Sequence, residues 1–134
     1  MENWIKIEEG EFEEEYSMKV SQLNTKRTVD KLTRHFKLGE YKVRFSKKVP
    51  NGVAHIWWHA REVQFCIEPS VGLICHELTH SLCYLRYKRS ISHGSHKWLY
   101  QMGRLIEYCK KNGYWKDEFE RWDSLVKKPT SSYA

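Results

Sequence analysis

His76, Glu77 and His80 stand in the run "LICHELTHSL", residues 73 to 82. Two histidines four apart on a helix project from one side, with Cβ atoms about 5 to 6 Å apart. That is close enough for two imidazole nitrogens to share one zinc ion at about 2.0 to 2.1 Å each. Glu77 sits one step round the helix, where its carboxylate reaches a zinc-bound water without becoming a ligand. This is the general-base position of the HExxH pattern. A catalytic zinc usually takes three protein ligands and leaves one position for water. The nearest third donors are His93 and His96, with Glu107 as the carboxylate alternative.

The elements that must position these groups are legible from periodicity and punctuation. Pro69 and Ser70 interrupt the chain, Ser70 is a good helix N-cap, and Val71 to about Lys88 reads as a helix with Ile74, Leu78, Leu82 and Leu85 on one apolar face. "SISHGSH" is a loop. After it, "KWLYQMGRLIEYCKKNG" reads as a helix with Trp98, Met102, Leu105, Ile106 and Cys109 on one side and Gly113 as its cap. Upstream, residues 16 to 38 have mostly helical spacing and end at Gly39. "YKVRF", "VAHIWW" and "EVQFCI" then alternate as three short strands, expected to form an antiparallel meander. "YWKDEFERWDSLVKK" reads as a last amphipathic helix. The expected class is α+β, about four helices packed on a small three-stranded sheet.

"HELTH", followed after about a dozen residues by "HGSHKW" and then "QMGRL" on the same helix, resembles the SprT-like (Spartan-type) metalloprotease domain. The resemblance covers about residues 50 to 110, and its diagnostic residues lie on two helices and the loop between them. It implies a zincin-like fold and a zinc site of His76, His80 and His93, with Gly94 and Trp98 matching the glycine and aromatic that accompany the third ligand. The aromatic comes one residue later than in the commonest HGxxW form, which keeps His96 as a ligand in a shifted register. The cysteine-rich zinc ribbon of many members is absent. The implied activity is peptide hydrolysis with Glu77 as general base, on protein or peptide substrates that include proteins crosslinked to DNA or positioned by it. An extended substrate would pair with the strand just before the active helix, expected to be an edge strand.

The 134 residues suit one domain, expected over residues 1–128, with an acidic N-terminal segment at 1–16 and a flexible tail at 129–134. No apolar run approaches the roughly 20 residues of a membrane span, and the N-terminus lacks the pattern of a secretory signal. The expectation is an intracellular monomer with no membrane partner. Cys66, Cys75, Cys83 and Cys109 form no CxxC pair, so they read as reduced thiols. A net charge of +6, with basic runs at "KRTVDKLTRHFKLGEYKVRFSKK" and "RYKRS", suits a polyanion such as nucleic acid, which the resemblance narrows to DNA, single-stranded or protein-linked.

Two readings compete with the peptidase. One is a non-catalytic nucleic-acid-binding module braced by a structural zinc, which needs a fourth ligand from Cys75, Cys83 or His96. In the other, the acidic residues 8 to 15 mask the chain's own basic cleft. His35, His55 and His59 share no ligand spacing with the motif and read as structural or exposed, though His55 or His59 facing the cleft would steady an oxyanion. Trp57 and Trp58, adjacent in a strand, must face opposite sides of the sheet.

Overall fold

The computed structural model describes residues 3–47, 54–57, 59–66 and 68–112. The last expected helix, Gly113, the tail and Trp58 lie outside them. Three helices come first: α1 (Asn3–Glu11), α2 (Glu13–Ser17) and α3 (Gln22–His35). Strands β1 (Lys42–Phe45), β2 (Ala54–Trp57) and β3 (Glu62–Phe65) follow, then α4 (Val71–Tyr87) and α5 (His96–Asn112). The class is α+β with a small sheet, as expected.

The chain does not run as one helix from 16 to 38. Residues 18 to 20 are drawn out of helical pairing to lie antiparallel to the entry of α4. Val20 N–H donates to Pro69 O at 2.9 Å, and Val71 N–H donates to Met18 O at 3.0 Å. Helix α3 restarts at Ser21, whose side chain accepts from Asn24 N–H at 3.2 Å. Met18 and Val20 are buried as core residues although extended, while Leu23 is exposed.

The sheet is mixed, which corrects the expected meander. Its order is β1-β3-β2, with β1 parallel to β3 and β2 antiparallel to β3. The last strand in sequence, β3, thus lies in the centre, between β1 and β2. The strand just before α4 is therefore the middle one, and the expected substrate-pairing strand is not an edge. Among the described residues the edges are β1 and β2.

Helix α4 is the centre of the molecule. Ile74, Cys75, Leu78 and Leu82 pack with Val63 and Phe65 of β3, Ala54 and Ile56 of β2, Val29 and Leu32 of α3, and Met102, Leu105, Ile106 and Cys109 of α5. Leu85, expected on the apolar face, is exposed one turn beyond the core. Ser70 caps the helix by accepting from Leu73 N–H at 3.1 Å, and Lys88 ends it in the left-handed conformation at φ 59°. Polar side chains along α4 find partners inside the fold. Thr79 Oγ1 donates to Cys75 O at 2.6 Å, and Tyr41 OH donates to Ser81 Oγ at 2.7 Å.

Candidate metal centre

His76 and His80 occupy one side of α4, and the segment after Lys88 folds back along that side. Ile91 anchors it by packing on Cys83 and Trp98. Gly94, at φ 78°, takes a turn that glycine enters without strain, and Ser95 Oγ then accepts from Trp98 N–H at 3.3 Å as α5 begins. The result puts His93 beside His80, with Nε2 to Nε2 at 3.2 Å. One ligand atom from each of His76, His80 and His93 lies within 4.8 Å of the others. These three histidines are close enough together to bind a metal ion. Ligand atoms about 2.0 to 2.1 Å from a tetrahedral zinc lie about 3.3 to 3.4 Å apart, so the His80–His93 interval suits such a centre.

His96 is exposed at the start of α5, and Glu107 is exposed farther along it. Among the described residues neither joins the group of three. Nor do the cysteines: Cys75 Sγ faces Cys109 Sγ at 4.0 Å, and Cys83 packs with Ile91 and Trp98. Burial pushes the Cys83 thiol up to about 11, which keeps it protonated.

Glu77 is buried beside the cluster, its Oε2 3.9 Å from His76 Nε2. Burial raises its carboxyl to about 7, with His76 pulling it down and Glu8 pushing it up. Such a group accepts and returns a proton near neutral pH. His80 is lowered to about 3, chiefly by burial and then by His76, His93 and His55. Its imidazole is therefore neutral, the form that binds metal.

The residue that sequence reasoning missed is Glu8. It is fully buried, at the start of the stretch expected to lie as an acidic mask on a basic surface. His76 Nδ1 is 2.8 Å from its Oε1 and 2.9 Å from its Oε2. Trp98 Nε1–H donates to Oε2 at 2.6 Å, and Tyr16 OH donates to Oε1 in a short hydrogen bond. Burial, and then the Glu8 charge, push the Tyr16 phenol far above its ordinary value, so it stays a donor. A signal was present in the sequence. Glu8, Phe12 and Tyr16 recur every four residues, one helical stripe that an acidic residue shares with two aromatics. Glu15 is buried as well, 3.7 Å from Lys110 Nζ.

Trp98 is fully buried behind the cluster. Its ring centroid lies 5.0 Å from that of His76, 4.7 Å from His80 and 4.6 Å from His93. His55 packs on Trp57 at 4.4 Å and is near enough to His80 to depress it, His59 meets Tyr84 at 5.6 Å, and His35 stacks on Tyr108 at 4.2 Å.

Tyr16 reaches Glu8 by crossing over Gly72, where an added Cβ would fall 2.5 Å from Tyr16 Cδ2. Gly72→Ala is expected to push Tyr16 away. Overpacking costs about 1 to 3 kcal/mol, offset by up to about 1 kcal/mol of better helix propensity. Chemical denaturation should show a net loss, and a variant more stable than wild type would mean that Tyr16 moves aside freely.

Comparison with protein-family models, with curated proteins and with solved structures finds no match to this chain.

Proposed function

We propose that the chain is a zinc-dependent metallopeptidase in which His76, His80 and His93 hold the ion and Glu77 is the general base. The observation that carries this reading is the convergence of three imidazoles beside a buried carboxylate that is not part of their cluster. The donor set fits zinc, since neutral imidazole nitrogens suit it and His76 offers Nε2 while Nδ1 is engaged by Glu8. A zinc ion held there would supply a Lewis acid for the scissile carbonyl and lower the pKa of a bound water toward about 7. Glu77 takes the proton of the attacking water and returns it to the leaving amine.

Three protein donors leave a position for water, the pattern of catalytic rather than structural zinc. The brace reading needs a fourth donor, and among the described residues none stands with the three. The extended substrate pairs along β2, an edge strand whose His55 lies near His80. The net charge of +6 and the resemblance to SprT-like proteases extend the proposal to protein substrates held on DNA inside the cell.

The test is metal content per chain together with cleavage of an unstructured basic protein, with and without chelator and single-stranded DNA. About one zinc per chain, with cleavage lost on chelation and restored by zinc, is expected. Faster cleavage with DNA at low salt supports the DNA-held substrate. Metal without cleavage under any condition rejects the peptidase, and a chain that takes up no metal rejects the centre.

A further inference from the structure

We propose that Glu8 is a positioning residue of the metal centre, and that through it metal occupancy is linked to the docking of α1 and α2 on α4. The inference rests on the reading that His76, His80 and His93 hold a metal ion. Which imidazole nitrogen binds a metal is decided by the hydrogen bond the other one makes. Glu8 accepts from His76 Nδ1, which leaves the lone pair on Nε2, the nitrogen 3.9 Å from Glu77 Oε2.

The carboxylate cannot turn away from this task, because two other donors fix it. Trp98 Nε1–H comes from α5 and Tyr16 OH from α2, while His76 is on α4 and Glu8 itself on α1. One buried carboxylate thus joins four helices at the outer side of a metal ligand. Among the described residues its donors are neutral groups or the imidazole itself, and a fully buried carboxylate is costly without compensating charge. A cation on the other nitrogen of the same imidazole supplies that charge.

The helices that carry Glu8 and Tyr16 have nine and five residues, too short to persist on their own. Their order comes from docking, through the stripe of Glu8, Phe12 and Tyr16. Coupling between two equilibria is reciprocal. If docking of α1 orients His76 for metal, metal must hold α1 in place by the same factor.

The experiment measures zinc affinity by competition with a chromophoric chelator for wild type and Glu8→Gln. Alongside it, amide hydrogen exchange over residues 3–17 of the wild type is followed with and without zinc. Glutamine keeps the volume of the side chain but cannot accept from three donors at once. The expected result is an affinity 10- to 100-fold lower in Glu8→Gln. An altered cobalt absorption spectrum should accompany it, with slower exchange over residues 3–17 when zinc binds wild type. A purely space-filling role for Glu8 would leave affinity and spectrum unchanged. Wild-type affinity in Glu8→Gln, or exchange over residues 3–17 indifferent to zinc, overturns the proposal while the metal centre stands. Absence of zinc binding by wild type overturns the centre itself. The exchange measurement needs no variant, so it decides the linkage even if Glu8→Gln does not fold.

Discussion

Glu77→Gln is expected to keep its zinc and lose hydrolysis. The side chain is buried next to the cluster but is not one of the three donors, so replacing one carboxylate oxygen by an amide leaves the ligand set intact. What disappears is the capacity to take a proton from water and deliver it to an amine. General acid–base catalysis is worth about 10²- to 10⁴-fold, or about 3 to 5 kcal/mol of activation free energy at 1.36 kcal/mol per decade. The volume is conserved and a desolvated carboxyl becomes neutral, so the variant should fold at least as well as wild type. The check is kcat/KM beside metal per chain. Hydrolysis retained in a zinc-replete Glu77→Gln protein ends the general-base assignment, and loss of the metal together with activity would make Glu77 a ligand.

What the sequence discloses about this centre depends on how local each interaction is. His76 and His80 were legible because a helix repeat alone sets their geometry, and Ser70 and Gly94 mark where that helix starts and where the return loop turns. His93 was legible as one of three candidate third donors and was singled out only through resemblance, since its approach to His80 depends on Ile91 being pinned by Cys83 and Trp98. The mixed sheet was not legible. Each strand has four residues, and the turn residues between β1 and β2 suggest a hairpin. The parallel pairing of β1 with β3 is settled instead by packing against α3 and α4. The break before α3 has the same origin, because Lys19 bridges to Ser70, far along the chain.

Glu8 was misread for the complementary reason. Composition assigns a glutamate in an acidic run to solvent, and that default holds unless distant donors converge on it. Here they come from 68 and 90 positions away, in His76 and Trp98. No local rule sees such partners. The four-residue stripe with Phe12 and Tyr16 says only that this face is buried. Glu8 and Glu77 are both buried beside the three histidines, and the two proposals give them separate tasks, one orienting a ligand and the other moving a proton.

His76→Ala and His93→Ala are expected to abolish tight zinc binding alike and to differ sharply in stability without metal. Each removes one of three donors, so affinity should fall by more than the 10- to 100-fold typical of an outer partner. The two sites differ in what the lost imidazole leaves behind. His93 is half-buried in a loop rather than in the core, so denaturation of the metal-free protein should shift by about 1 kcal/mol or less. His76 is buried in α4 against a fully buried Glu8, and removing it takes one of three donors from that carboxylate while opening a cavity in the core. Leaving a buried acceptor short of a donor costs about 1 to 3 kcal/mol and the cavity adds to it, a large share of the roughly 5 to 15 kcal/mol that holds a domain together. Urea denaturation in chelator, beside zinc affinity, separates the cases. Wild-type affinity in His93→Ala would return the third ligand to His96 or Glu107. Equal stability of the two metal-free variants would mean that Glu8 is held by Trp98 and Tyr16 alone, and that its contact with His76 matters only once the metal is bound.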